Sequence, residues 1–130
     1  MKGLVVYYSA TGSTKKVARA IHTGMTGVID ADLASIREIS PEAAGGYDLI
    51  GVGCPNWYFR EPANVRLFMY RLPRMDGRLG FVFCTHAATP LGIFHSMVPM
   101  LRRTGLTIIG WGDWYGSVHQ VLHAAKPDLT

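Results

Sequence analysis

The sequence predicts an α/β protein with a doubly wound sheet of five parallel β-strands. Apolar runs of strand length recur along the chain without polar alternation, as is typical of strands buried on both faces of a parallel sheet. Between these runs, apolar residues repeat with helical spacing, and this alternation indicates β-α-β units with right-handed crossovers. The chain has 130 residues, of which 48% are hydrophobic and 17% charged, so we expect a single globular domain over residues 1–130.

The first β-α unit opens the chain. The run LVVYYS (4–9) is continuously apolar before it ends in polar turn residues, which predicts a strand buried on both faces. Helical spacing then predicts a helix over 13–25, whose inward residues are Val17, Ala20, Ile21, Gly24 and Met25. We expect Gly24 and Gly27 to end this helix.

Two strands with a short helix between them come next. ADLASI (31–36) predicts a second, weaker strand, and YDLIGVGCP (47–55) predicts a third. Between them, SPEAAGG (40–46) places a serine cap at Ser40 and a proline at the first helical position, before two glycines that stop the helix. This segment therefore predicts at most a short helix.

The second half of the chain repeats the alternation. EPANVRLFMYRL (61–72) predicts a helix with an inward face formed by Val65, Phe68, Met69 and Leu72. LGFVFCT (79–85) and LTIIGWGDW (106–114) predict strands four and five. Between them, PLGIFHSMVPMLRRTG (90–105) predicts a helix kinked at Pro99. Its inward residues are Leu91, Phe94, Val98 and Leu101.

The chain after strand five departs from this pattern. A doubly wound sheet needs a last helix to cover its far side, but Pro127 interrupts the apolar spacing of SVHQVLHAAKPDLT (117–130). We therefore expect a shortened or missing last helix and a partly uncovered sheet face. Such a face predicts self-association as a homodimer, or a partner segment that covers it.

Composition and charge narrow the functional classes. Lys and Arg outnumber Asp and Glu by 13 to 9, and the resulting net charge of +4 favours an acidic partner. The sequence contains no nucleic-acid-binding motif and no apolar run long enough for a membrane helix. Because no signal-peptide pattern follows Met1, we expect a cytoplasmic protein.

Cys54 and Cys84 lack the spacing of a metal site and are predicted to be buried.

The turn after the first strand is unusually rich in hydroxyl groups. It contains Ser9, Thr11, Gly12, Ser13 and Thr14. A turn from a strand into a helix faces the free amides and the positive dipole end of that helix, and a glycine there lets an anion approach the backbone. Lys15 and Lys16 in the first helical turn oppose the dipole, a cost that a dianion would offset. We therefore expect a phosphate site, the alternative being that Ser13 or Thr14 merely caps the helix.

Residues 9–14, SATGST, match the [ST]-x-T-G-x-T phosphate loop of flavodoxins, and the chain resembles this family over essentially its whole length. The loops GCPNWYFREP (53–62) and FCTHAATPLG (83–92) are similar to the two ring-binding loops of the family. The resemblance implies the family's strand order 2-1-3-4-5 and FMN bound at its switch point. It is closest to flavodoxin-like domains that are fused to ferredoxin modules.

The resemblance also implies which residues surround the flavin ring. They are Pro55, Asn56, Trp57, Tyr58, Thr85, His86 and Ala87. A flavin ring needs a flat side chain on its face, so we expect Trp57 or Tyr58 to stack on it and Asn56 to bond its edge. His86 is the candidate for the other side, where many flavodoxins have a tyrosine. Phe59 stands where the family often has a glycine whose peptide flips on reduction, and this favours two-electron behaviour.

These expectations converge on an FMN-binding electron-transfer protein or domain that exchanges electrons with a redox partner. Because this chain is basic whereas flavodoxins are commonly acidic, the expected partner is an acidic, ferredoxin-like module. Two alternatives stay open. One is a small FMN-dependent reductase that uses NAD(P)H and a quinone-type substrate, and the other is an interaction module that has the fold without the flavin.

Overall fold

The computed structural model describes residues 1–10, 12–56, 61–86 and 92–115, with only the backbone described for His86 and Tyr115. Within these ranges, five parallel strands form one sheet in the order β2-β1-β3-β4-β5, as predicted. The strands are β1 (Lys2–Tyr7), β2 (Asp30–Ser35), β3 (Leu49–Pro55), β4 (Leu79–His86) and β5 (Thr107–Tyr115). The helices are α1 (Ser13–Thr26), α2 (Pro41–Ala44), α3 (Ala63–Tyr70) and α4 (Ile93–Arg102).

The helices lie on both faces of the sheet, which makes it doubly wound. On one face, α1 packs through Val17 and Ala18 against Val5, Phe83 and Trp114 of the strands. On the opposite face, the shared core joins the strands to the other three helices. The helix residues of that core are Ala44, Val65, Phe68, Met69, Ile93, Met97, Val98 and Leu101. The segment 61–72 therefore buries the inward face that its spacing predicted, including Leu72 just after α3.

Burial along the strands follows their place in the sheet. Every residue of β1 after Lys2 is buried, because β1 lies between β2 and β3. In β2 most residues are only partly buried, because this strand lies at one edge of the sheet. The prediction of a weaker second strand is thus confirmed.

The helix ends match the sequence signals with one exception. The Ser40 side chain accepts a hydrogen bond from the Ala43 amide, and proline occupies the first position of α2. Gly105, at φ +98°, ends the turn after α4 in the left-handed region. Gly27 is the C-cap of α1, but the prediction that Gly24 ends this helix is wrong, because Gly24 lies inside it. An isolated glycine weakens a helix without stopping it.

An apolar groove lies on the α1 face of β4 and β5. It has a volume of about 670 Å³, and its lining includes Ile21, Met25, Phe81, Ile109 and Trp111. The inward face predicted for α1 is therefore only partly covered: Ala20 lines the groove and is exposed. The segment 117–130, for which the sequence predicts a shortened or missing last helix, falls outside the described residues. Among the described helices, none is long and apolar enough to span a bilayer.

Two glycines of β3 make room for aromatic rings of β4. Gly51 is in register with Phe81, and Gly53 with Phe83. A Cβ placed on either glycine would overlap the phenyl ring of its register partner. The rings thus cover the backbone of β3 on the α1 face, where Phe83 also meets Trp114 edge-on with ring centroids 6.4 Å apart.

Candidate functional site

The predicted binding residues converge at the carboxyl edge of the sheet. The Tyr8 amide donates to the Gly53 carbonyl at 3.0 Å, which fixes the end of β1 beside β3. The Asn56 amide donates to the Thr85 carbonyl at 2.9 Å, which fixes the end of β3 beside β4. The three chain segments that follow these strands therefore start next to one another.

The hydroxyl-rich turn after β1 is held in a closed shape. The Ser9 Oγ accepts a hydrogen bond from the Gly12 amide at 2.9 Å. Gly12 has φ +96° and is the N-cap residue of α1, a conformation that favours glycine. Because the cap residue has no side chain, the alternative in which Ser13 or Thr14 caps this helix is not the observed arrangement. The first amides of a helix have no acceptor inside the helix, and for this reason anions are often bound at helix N-termini.

A buried contact joins this turn to the end of β4. The Oγ1 atoms of Thr14 and Thr85 lie 2.8 Å apart, within hydrogen-bond distance. The two residues are only 2% and 4% exposed, so their hydroxyl groups are shielded from water. Thr14 belongs to the predicted phosphate turn and Thr85 to a predicted ring loop. The contact ties these two predicted elements together directly.

A polar cleft of about 320 Å³ lies beside the turn. It is lined by Tyr7, Tyr8, Ser9, Gly12 and Lys15, and by Ser35, Ile36, Arg37 and Glu38 from the turn after β2. Lys15 and Arg37 bring positive charge to the cleft, whereas the Glu38 carboxylate accepts a hydrogen bond from the Ser35 amide. Burial raises the pKa of Tyr7, so its phenol stays neutral and presents no negative charge to an anion.

A buried carboxylate, Glu61, lies where the chain re-enters the described region after the loop 57–60. Its Oε1 accepts hydrogen bonds from Arg66 Nε at 3.1 Å and from Ser96 Oγ at 2.9 Å. Sequence reasoning missed Glu61, because a glutamate next to a proline at the start of a helix is ordinarily a solvated residue. Nothing in the sequence signals that α4 covers it.

Several predicted residues cannot be placed at the site. Thr11, Trp57, Tyr58 and Ala87 lie outside the described residues, as does Phe59, and only the backbone of His86 is described. Their predicted roles, including the choice between Trp57 and Tyr58 as the stacking residue, stay predictions. Pro55 and Asn56 are partly buried at the end of β3, as their position at a strand end requires.

The two cysteines lie directly below the site, in the core. Cys54 and Cys84 are in register on β3 and β4, they form no disulfide, and both are fully buried, which confirms their predicted burial. Burial raises the pKa of the Cys54 thiol, so it stays protonated at neutral pH. No group of ligand side chains suited to a metal ion occurs in the ranges that the structure describes.

The arrangement around the turn has features of a phosphate site. Gly12 has a left-handed backbone, and among the described residues other than its chain neighbours no atom lies within 4 Å of the position a Cβ would take there. Lys15 contributes positive charge, and the α1 dipole adds to it. A phosphate needs these features, namely free amides, close backbone approach and positive potential.

The chain matches the family model of flavodoxins over residues 5–99. It is 28% identical to an uncharacterized protein of Methanocaldococcus jannaschii over 114 residues, which are 85% of this chain and 72% of that protein. The residues that match the family model include the hydroxyl-rich turn after β1 and the ends of β3 and β4.

Solved structures have the same fold. The solution structure of two-electron reduced flavodoxin from Megasphaera elsdenii superposes with a TM-score of 0.78 at 22% identity, covering 88% of this chain and 85% of that one. A flavodoxin from the domain Archaea gives a TM-score of 0.73 at 18% identity, covering 97% and 92%. The apo form of an NADH:FMN oxidoreductase gives 0.79 at 14% identity, covering 97% and 81%.

Proposed function

Since the chain belongs to the flavodoxin family, we propose that it binds FMN at the carboxyl edge of its sheet and transfers electrons between redox partners. The observation that carries the proposal is the convergence of the turn 8–14 with the ends of β3 and β4, joined by the Thr14–Thr85 contact. A phosphate turn and two adjacent loops are the parts that a flavin mononucleotide needs.

The residues around the turn would hold the phosphate. Ser9 keeps the turn closed through the Gly12 amide, and Gly12 lets the anion approach the backbone. Thr14 and Thr85 fix the phosphate turn relative to the ring loop that follows β4. When bound, FMN supplies the redox chemistry, and the protein sets access to the ring and its potential.

The proposed electron partner is an acidic protein surface, such as a ferredoxin-like module. Basic residues are exposed next to the site, on the first turns of α1 and on the turn after β2. They are Lys15, Lys16, Arg19 and Arg37. Opposite charge on a partner accelerates encounter at low salt. We propose that this electron transfer takes place in the cytoplasm.

The test of the proposed function is reconstitution with FMN. The purified chain is incubated with FMN and desalted, and its visible spectrum is compared with that of free FMN. Retained flavin with shifted absorbance bands supports the proposal, and loss of all flavin on desalting contradicts it. Flavin retention by wild type but not by a Gly12→Asp variant would assign the binding to this turn, because a carboxylate there repels a phosphate.

The same preparation separates electron transfer from reductase activity. Reduction of bound FMN by NADH or NADPH without any partner protein would assign the chain to the reductase class. If reduction requires a redox protein and slows as salt is raised, electron transfer to an oppositely charged partner is supported.

A further inference from the structure

The positive charge of the chain is concentrated in one segment. Residues 62–112 contain six arginines and a single acidic residue, Asp76, whereas the rest of the chain has seven basic and eight acidic residues. The net charge of +4 therefore arises entirely from the segment that includes α3, β4 and α4. A concentration of charge of one sign on one part of a protein attracts a partner of the opposite sign.

Four of these arginines are exposed where α3 and α4 end. Arg71 and Arg74 follow α3, and Arg102 and Arg103 lie at the end of α4. The two helix ends are held together, because Arg74 Nη1 donates a hydrogen bond to the Arg103 carbonyl at 2.8 Å. These four residues form one surface feature, which we call the arginine cluster.

The charge of the arginine cluster is largely unbalanced. Asp76 Oδ1 accepts a hydrogen bond from Arg74 Nη2 at 2.6 Å, but the two side chains are 68% and 70% exposed, so water screens this ion pair. The other three arginines of the cluster form no ion pair within the described part of the chain. Helix dipoles stabilise positive charge at the two helix ends, yet neighbouring arginines repel one another. A partner that brings carboxylates would relieve this repulsion.

Exposed apolar side chains lie beside the arginine cluster. Tyr70 and Leu67 are neighbours on the surface of α3 and are 68% and 49% exposed. The Arg103 Cζ atom lies 6.0 Å from the centroid of the Tyr70 ring, within the range of a cation–π contact. Tyrosine and arginine are enriched at protein–protein interfaces, and tyrosine and arginine side chains contribute much of the binding energy there.

We propose that the arginine cluster, together with Tyr70 and Leu67, binds an acidic segment of a partner protein. Guanidinium groups bind carboxylates through two parallel hydrogen bonds, and the apolar side chains provide contact area beside them. A protein is favoured over a nucleic acid, because the Arg103 guanidinium already lies over the Tyr70 ring. Leu67 offers a base neither a hydrogen bond nor a flat stacking surface.

The arginine cluster lies at the opposite edge of the sheet from the proposed FMN site. Since α3 and α4 end shortly before β4 and β5 begin, the cluster lies at the amino edge, whereas the phosphate turn follows the carboxyl end of β1. The eight residues of β4 separate the two edges by about 25 Å. A partner bound at the cluster therefore leaves the carboxyl edge accessible, and this binding does not depend on FMN.

The experiment measures the binding of the full chain to a short dye-labelled peptide of glutamates and leucines, by fluorescence anisotropy at low salt. Arg71→Gln/Arg103→Gln removes two charges from the arginine cluster. Tyr70→Ala removes the ring without changing the charge. Lys16→Gln/Arg19→Gln removes two exposed charges from α1 and is the matched control for the loss of net charge.

We expect wild type to bind the peptide, with an affinity that falls as salt is raised. The affinity should fall about tenfold in Arg71→Gln/Arg103→Gln, because two ion pairs with the peptide are lost. In Tyr70→Ala it should fall about threefold, because apolar contact area is lost. The control Lys16→Gln/Arg19→Gln should change it less than about twofold, since a distant exposed charge is screened.

Three results would overturn the proposal. They are the absence of peptide binding by wild type at low salt, an equal loss of affinity in both double variants, and tighter binding of a thymidylate oligonucleotide of equal charge than of the peptide. Urea unfolding establishes that each variant is folded. Should Arg71→Gln/Arg103→Gln not fold, Arg71→Gln alone decides, and wild-type affinity in that variant overturns the assignment to the cluster. Failure of the chain to retain FMN would contradict the proposed function without affecting this result.

Discussion

The buried Thr14–Thr85 contact allows a quantitative test of how the phosphate turn is attached to the sheet. Each of these hydroxyl groups is almost completely shielded from water, and they lie 2.8 Å apart. Replacing one threonine by valine keeps the shape but leaves the other hydroxyl buried without this partner. Such an orphaned group costs about 1–3 kcal/mol. Thr14→Val and Thr85→Val should each lower the free energy of unfolding by that amount.

The double variant should be less destabilised than the two single variants imply. Replacing both partners of a hydrogen bond by apolar groups of the same shape is nearly neutral, because no buried hydroxyl is left unpaired. The single costs add to about 2–6 kcal/mol, whereas we expect the double variant to lose at most about 1 kcal/mol. The coupling energy between the two positions should therefore exceed about 1 kcal/mol.

Urea unfolding of all four proteins gives these free energies by linear extrapolation. If the single effects add within about 0.5 kcal/mol, the two hydroxyl groups do not interact, and the reasoning is refuted. Measuring FMN affinity on the same proteins separates folding from binding. The double variant should be stable yet bind FMN more weakly than wild type, because the turn and the ring loop are no longer tied by this contact.

Three further predictions follow from single features. Gly12→Ala should cost about 1–2 kcal/mol of stability because of the left-handed backbone at this position, since no described residue beyond its chain neighbours would contact the added Cβ. Gly24→Ala inside α1 should instead stabilise the protein, and urea unfolding measures both effects. Tyr47 donates to Asp32 at 2.6 Å, which raises the pKa of Tyr47 to about 12 and lowers the pKa of Asp32. The stability lost in Tyr47→Phe should therefore be fully visible between about pH 4 and 10, vanishing as acid protonates Asp32 or as alkali ionises Tyr47; a difference independent of pH would contradict this. Self-association through the apolar groove should appear as concentration-dependent sedimentation that Ile109→Lys abolishes, and a wild-type monomer at all concentrations would contradict it.

The sequence predicts the strands well because burial on both faces leaves a continuous apolar run. It does not predict the local irregularity of β5, where the pairing register with β4 shifts between Gly80 and Phe81. This shift leaves Ile109 without a register partner on β4, and the side chain is 58% exposed in the apolar groove. Nothing in LTIIGWGDW distinguishes a regular strand from one with such a bulge. The prediction that Ala20 is buried on the inward face of α1 is wrong, because helical spacing does not reveal how far the sheet extends beneath the helix.

Only part of the candidate site, too, can be predicted from the sequence. The hydroxyls and glycine of the phosphate turn are adjacent in sequence, so their pattern could be recognised before any fold was known. The pairing of Thr14 with Thr85 joins residues 71 positions apart, and only the sheet order brings them together. The burial of Glu61 depends on its contacts with Arg66 of α3 and Ser96 of α4. No single stretch of sequence therefore predicts it.

The glycines of β3 have a consequence for how this chain can change. At Gly51 and Gly53 the α1 face of the strand is filled by Phe81 and Phe83 of the neighbouring strand, so each pair shares the volume of one large side chain. Gly53→Ala alone should push the Phe83 ring aside and destabilise the protein, by about 1–3 kcal/mol for an overpacked core. A smaller residue at position 83 would restore the space. Residues 53 and 83 are therefore expected to evolve as a pair, a gain in volume on one strand matched by a loss on the other.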